Sequence, residues 1–211
     1  MAEKDSTFEA ATRTVGSAGD LSSREHPSLA LAHAIVPVRA NGGFVLDLGP
    51  ASGANISFFA ERGCKLFIAD LNSSLFGSTD SANRAEALEL ALVRDIPATE
   101  TFDLILLWDL LDYLDDREIR ILASRLQAVC HAATLLYGMV SIRKEIPDRP
   151  SRFEICDVRS IRYSPGSPLR RPAPLHKEPE LVKLMPDFEV ESTYLLRHGK
   201  QEYLFRRRRA A

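Results

Sequence analysis

The chain has 211 residues, 45% of them hydrophobic, which suits one domain with a sizeable core rather than a disordered or fibrous chain. Its 27 basic and 29 acidic residues leave a net charge of −2, so no global field pulls it toward nucleic acid or anionic lipid. Three cysteines, Cys64, Cys130 and Cys156, with no C-x-x-C pair, encode neither a disulfide framework nor a metal site.

The first residues, MAEKDSTFEA, lack the apolar core of a signal segment, and no stretch approaches about 18 apolar residues. The expectation is a soluble, cytoplasmic protein with reduced thiols and no membrane partner. The basic run Arg206–Arg209 reads as solvated terminal charge, which makes a nucleic-acid partner an unfavoured reading.

Residues 1–26 are small and polar and read as a flexible N-terminal arm. From Ser28 the pattern SLALAHAIV predicts a short helix after Pro27, disturbed by Pro37, and residues 41–43 (NGG) predict a turn. Phe44–Leu48 is a continuous apolar strand of the kind buried on both faces of a parallel sheet. A helix over Asn55–Arg62 follows, with Ile56, Phe59 and Ala60 on one face and Gly63 as its stop.

Lys65–Ala69 is a second strand that ends at Asp70, and 71–79 reads as a loop. Residues 82–90 (ANRAEALEL) are rich in helix formers, and Leu92–Arg94 reads as a weakly encoded third strand. Phe102–Leu107 is the next buried strand, followed by Trp108 and Asp109. Asp115 and Glu118 have capping-box spacing ahead of an apolar stripe of Ile119, Leu122, Leu126 and Val129, and Thr134–Ile142 closes the series. This β-α-β-α order predicts a doubly wound sheet with right-handed crossovers.

Residues 147–177 break the rhythm, with six of the twelve prolines and many arginines; Arg152–Ile155 and Ser160–Tyr163 suggest a small hairpin there. A short helix over Glu178–Met185 precedes Phe188–Leu196 and Gln201–Arg207, two strands joined by residues 197–200 (RHGK).

In a doubly wound sheet, ligands bind beyond the carboxyl ends of the strands, near the point where strand order reverses. Asp47, Asp70, Asp95 and Asp109 each follow one of the predicted strands. Asp is common wherever a loop begins, so each alone has a structural reading, but four in register are hard to attribute to turns. Asp70 is placed to accept two hydrogen bonds from a ribose diol. Gly49 and Gly53 allow close approach of backbone to a ligand. Asp95 and Ile96 offer an acceptor and an apolar wall to an adenine.

The run 45–55 (VLDLGPASGAN) resembles the first motif of the class I S-adenosylmethionine (SAM)-dependent methyltransferases. Asp70 resembles their acid after strand two, Arg94-Asp95-Ile96 their adenine-edge motif, and 102–114 (FDLILLWDLLDYL) their fourth-strand motif; the closing hairpin is similar to their last two strands. The resemblance covers residues 27–207 apart from 147–177. It implies a three-layer Rossmann-like fold of the seven-stranded methyltransferase type, mostly parallel with a C-terminal antiparallel hairpin. It also implies SAM as cofactor and a cofactor site formed by Asp47, Gly49, Pro50, Ala51, Gly53, Asn55, Asp70, Leu71, Asp95, Ile96, Trp108 and Asp109. Ala51 stands where a glycine is frequent, and Pro50 stiffens the turn and removes an N–H.

The activity so implied is methyl transfer to a small-molecule acceptor. Such an in-line displacement needs positioning and exclusion of water more than acid–base chemistry. Asp109, Asp112, Tyr113 and His131 are the candidate bases, and none is assignable from sequence. Residues 147–177, with Arg149, Arg152, Arg159, Arg162, Arg170 and Arg171, form the expected acceptor-side insertion, able to meet an anion or simply to be solvated. The alternative is a non-catalytic binding or regulatory member of the fold, suggested by Ala51 and the absent base. A nicotinamide reading fits less well, because its three glycine positions are Gly49, Ala51 and Ala54. Oligomeric state is open.

Overall fold

The computed structural model describes residues 24–39, 42–76, 84–196 and 199–208. The expected arm up to Ser23 lies outside them, as do Asn41, residues 77–79 of the expected loop, residues 82–83 of the expected helix, Arg197, His198 and Arg209. Among the described residues, no helix is long and apolar enough to cross a membrane.

The main sheet has six strands: β2 (Phe44–Asp47), β3 (Lys65–Ile68), β4 (Phe102–Trp108), β5 (Cys130–Ser141), β10 (Phe188–Leu195) and β11 (Lys200–Arg207). Their order is β3-β2-β4-β5-β11-β10. The first four are parallel, and β11 and β10 close the sheet as an antiparallel hairpin. The chain leaves β2 toward β3 on one side and returns at β4 on the other, so the carboxyl ends of β2 and β4 flank the switch point.

Alternation along the strands explains the layers. Val45, Leu104 and Leu106 face one core with α1 (Leu29–Arg39) and α2 (Gly53–Ala60). Leu46, Ile105 and Leu107 face the other with α3 (Leu71–Phe76), α4 (Arg84–Asp95), α5 (Asp116–Ala128) and α6 (Glu178–Leu184). A strand buried on both faces has no polar side to show, hence the unbroken apolar runs.

The insertion folds as β6 (Glu145–Pro147), β7 (Arg152–Asp157), β8 (Ser160–Ser164) and β9 (Arg170–Pro172). β7 and β8 form the expected hairpin, and β1 (Arg24–Pro27) joins its free edge antiparallel to β8. Residues 24–26, expected in the arm, therefore belong to a three-stranded sheet, because β8 offers them an open row of backbone groups.

Several local expectations need correction. Leu92–Arg94 is not a third strand: it continues α4, whose Leu88, Ala91 and Leu92 recur at helical spacing with no breaker before Pro97. Among the described residues the main sheet thus has six strands. Residues 71–76 are helical rather than loop, with Asp70 accepting from Ser73 N at 3.1 Å as an N-cap. In α2 the buried face carries Asn55, Phe58 and Phe59, while Ile56 is 44% exposed, because β7 docks on the Asn55 side. The Asp115–Glu118 capping box forms as its spacing predicts.

Candidate functional site at the carboxyl ends of β2 and β4

The loop between β2 and α2 faces the switch point, yet its inner half is filled by the protein itself. Asp47, at the end of β2, is buried and accepts three hydrogen bonds. Gly49 N (2.9 Å) and Trp108 Nε1 (2.6 Å) donate to Oδ1, and Asn55 Nδ2 (3.2 Å) donates to Oδ2. Burial raises its pKa, and these three donors oppose the rise.

The indole of Trp108 lies over Gly49. A Cβ on Gly49 would meet Trp108 Cδ1 at 2.8 Å, so the glycine makes room for a tryptophan rather than for a ligand. Trp108 has φ 51°, a left-handed backbone that is unusual for a bulky residue and costs about 1–3 kcal/mol. Its surroundings hold it there. Phe153 of β7 stacks on it with centroids 5.0 Å apart and planes 3° apart, and Tyr137 meets it edge-on at 5.7 Å.

Asn55 locks the insertion onto this arrangement. It donates from Nδ2 to Phe153 O at 3.3 Å and accepts from Ile155 N at 2.8 Å on Oδ1. A side chain two residues into α2 thus replaces one rung of a sheet ladder for β7.

Beyond β4, Asp109 and Asp112 are buried beside Lys200 of β11. Lys200 Nζ donates to Asp109 Oδ2 at 3.1 Å and lies 3.9 Å from Asp112 Oδ2. Burial disfavours the ammonium, but Asp109 and Asp112 outweigh it, and the Lys200 pKa is raised. Asp109 also accepts from Ser151 N (3.3 Å), and both Asp112 oxygens accept from Ser141 N (2.9 and 3.0 Å). Burial pushes the Asp112 pKa up to about 7. Tyr113 donates to Pro147 O (3.1 Å) and Arg149 O (3.0 Å), and burial raises its pKa. His131 sits at the start of β5, at the opposite end of the sheet, with Nε2 3.1 Å from Asp103 Oδ1; it is not near the switch point.

The outer half of the loop is open. Ala51, Gly53 and Ala54 are exposed, and nothing lies within 4 Å of a Cβ added at Gly53. Pro50 and Asp70 border an open cavity of about 400 Å³ that is also lined by Phe76, Arg149 and Arg152. Leu71 is buried in the core rather than on the cavity lining. Asp95 does not reach this cavity: without a third strand it ends α4, where Arg94 grips it at 2.6 Å through both oxygens and holds its carboxyl below the usual range. Ile96 is buried, and its carbonyl accepts from Arg125 Nη2 at 2.5 Å.

The six insertion arginines do not form one patch. Arg149 and Arg152 line the Asp70 cavity, Arg171 lies 5.7 Å over the Tyr113 ring, and Arg162 pairs with Glu154 at 3.7 Å. A larger cavity, about 790 Å³, lies away from the loop between the start of α5 and α6, where the acids Asp115 and Asp116 share the lining with the bases Arg117 and Lys183. Sequence reasoning missed Phe153 and Lys200. Lys200 read as a turn residue, and nothing local signals a partner 91 positions away.

Of the expected site residues, Asp47, Gly49, Asn55 and Trp108 meet one another, Asp109 turns instead to Lys200 and Ser151, and Pro50 and Asp70 line a cavity with Arg149 and Arg152. SAM fits poorly into the inner half of the crevice, since its space holds the Trp108 ring and the buried acids already have donors. The outer half is open and carries the Asp70 carboxylate.

Strand order and closing hairpin give the chain the Rossmann-like fold of the class I SAM-dependent methyltransferases, less the third strand. No family model and no curated protein matches the sequence. Among solved structures it is similar to a TehB-like SAM-dependent methyltransferase from Corynebacterium glutamicum (11% identity, 85% of this chain and 88% of that one, TM-score 0.49). It is also similar to a SAM-dependent methyltransferase from Clostridium acetobutylicum (12%, 84% and 90%, 0.48). A third is 1,6-didemethyltoxoflavin-N1-methyltransferase from Burkholderia thailandensis (18%, 85% and 78%, 0.45). Likeness at these identities and scores says nothing of ligand or reaction.

Proposed function

We propose that the protein is a non-catalytic, ligand-binding member of the methyltransferase-type fold. The observation that carries this reading is the seat of Trp108, whose indole lies against Gly49 and donates to Asp47 at 2.6 Å. Methyl transfer needs a sulfonium held in line with a nucleophile, in a crevice from which water is excluded. Here side chains fill that crevice, and the acids beside it are engaged: Asp47 by three donors, Asp109 by Lys200 and Ser151 N, Asp112 by Ser141 N. The ligand's place is the outer cavity between Pro50, Asp70 and the insertion.

A second reading, SAM-dependent methyl transfer to a small-molecule acceptor, is favoured by one feature: the outer half of the loop, with Gly53 open and Asp70 on a cavity, has the shape a nucleoside end of the cofactor needs. It requires Trp108 and Phe153 to swing out together.

Calorimetry with SAM and its demethylated product separates the two. The expected result is no binding to the wild-type protein at millimolar concentration and measurable binding to Trp108→Ser. Methyl turnover on any acceptor by the wild-type protein overturns the non-catalytic reading.

A further inference from the structure

We infer that the outer cavity takes a nucleotide, meaning a ribose diol bearing a phosphate, rather than an uncharged or sulfonium nucleoside. This rests on the reading of that cavity as the protein's ligand site. The walls of the cavity include one acid, Asp70, and two arginines, Arg149 and Arg152, with Pro50 and Phe76 among the apolar lining. A vicinal diol donates two hydrogen bonds, which a carboxylate accepts. A phosphate accepts several, which arginine forks donate. A ligand with both groups matches both kinds of side chain.

The Asp70 carboxylate is already held in place, because Ser73 N (3.1 Å) and Ser73 Oγ (2.6 Å) each donate to one oxygen. Each oxygen has a second lone pair, so the cap orients the group without exhausting it.

The backbone that carries the arginines is held as well. Tyr113 binds the carbonyl of Arg149, Asp109 binds Ser151 N, and Phe153 stacks on Trp108, so the backbone from 149 to 153 is pinned at three points. Arg149 Nη1 donates to Phe76 O at 2.7 Å, which ties its guanidinium to another residue of the cavity lining. Among the described residues, no carboxylate lies within ion-pair distance of Arg149 or Arg152. Surface arginines on a floppy loop have no need of such anchoring. Two cations on an anchored turn beside an open cavity, with Arg149 also tied through its side chain, form a partly preorganised anion site, which lowers the entropy cost of ordering them on binding. A volume of about 400 Å³ lies within the range of small-molecule sites.

The test is calorimetry on the full chain with AMP, adenosine, ribose 5-phosphate and inorganic phosphate, at low and high salt. AMP is expected to bind at least tenfold tighter than adenosine, and to weaken with salt as a phosphate contact should. Arg152→Gln changes an exposed side chain, so it should leave the melting temperature unchanged, weaken AMP at least tenfold and leave adenosine unaffected. Asp70→Asn, which keeps a capping side chain, should weaken AMP and adenosine alike.

Equal affinity for AMP and adenosine overturns the phosphate assignment while leaving the cavity a nucleoside site. Inorganic phosphate binding as tightly as AMP overturns the diol. No binding by any of the four overturns the inference outright. SAM turnover by the wild-type protein sinks the non-catalytic reading instead, whatever AMP does.

Discussion

Trp108 Nε1 donates to Asp47 Oδ1 at 2.6 Å, which ties the carboxyl end of β4 to that of β2 across the switch point of the sheet. In a doubly wound fold this is where a ligand would be gripped. Here one hydrogen bond between two protein side chains spans that place. The bond also explains the unfavourable φ of Trp108, since the left-handed backbone brings the indole over Gly49.

Trp108→Ser should destabilise the fold by about 3–5 kcal/mol, the usual range for losing a large buried aromatic. Urea unfolding followed by circular dichroism measures this, because Trp108 is the single tryptophan and its fluorescence vanishes in the variant. An effect under about 1 kcal/mol would show that the ring packs more loosely than the Phe153 stack indicates.

Asn55→Ala should strip the anchor of β7 from α2. Ile155 N and Phe153 O lose their partner in a buried place, and Asp47 loses one donor. The expected loss is about 2–4 kcal/mol, since buried groups left unsatisfied cost about 1–3 kcal/mol each. Amide hydrogen exchange should quicken in 152–157 before it quickens in β2 or β4. Uniform quickening across the sheet would contradict the anchoring role.

Stability should fall as pH rises through neutrality. Burial lifts the Asp112 pKa to about 7, against 3.8 for an unperturbed aspartate, so the folded state holds a proton that the unfolded state has released between these values. The stabilisation is fully present below about pH 4 and is lost as pH climbs to about 7, up to about 4 kcal/mol if Asp112 acts alone. Other groups titrate in this window, so the measurement is the difference between wild type and Asp112→Asn. The variant should show a flatter profile from pH 4 to 8. Lys200→Met should steepen it, because two buried carboxylates then face each other without a cation.

Gly166→Ala should disrupt the wall of the outer cavity. A Cβ there would lie 1.9 Å from the Pro150 carbonyl oxygen, a contact neither backbone can relieve without moving. Overpacking of this kind costs about 1–3 kcal/mol, and it should displace Arg149 and Arg152 as well. A lower melting temperature together with weaker AMP binding is expected. An unchanged melting temperature would mean that the 164–169 turn does not pack on Pro150 in solution.

Much of the fold was legible in the sequence because its signals are local. Phe44–Leu48 and Phe102–Leu107 are apolar without alternation, which only a doubly covered strand explains, and Asp115 with Glu118 marks a helix start wherever it occurs. The third strand failed for a related reason. Leu92 and Val93 are apolar enough for either state, and the preceding helix formers carried the segment on to Asp95. The β1 strand was illegible because its partner, β8, comes more than a hundred residues later.

The sequence by itself determined that acids and glycines would stand at successive strand ends, since strand length and turn chemistry place them there. It did not determine what those groups would hold. Asp47 faces an indole from β4, Asn55 a strand of the insertion, Asp109 a lysine from the last hairpin, and Asp70 a helix cap beside an open cavity. Apart from the local cap of Asp70, these partners lie far apart along the chain, and only the packing of sheet, insertion and hairpin brings them within hydrogen-bonding reach. That packing, and not the motif, divides the crevice into a filled inner half and an open outer one.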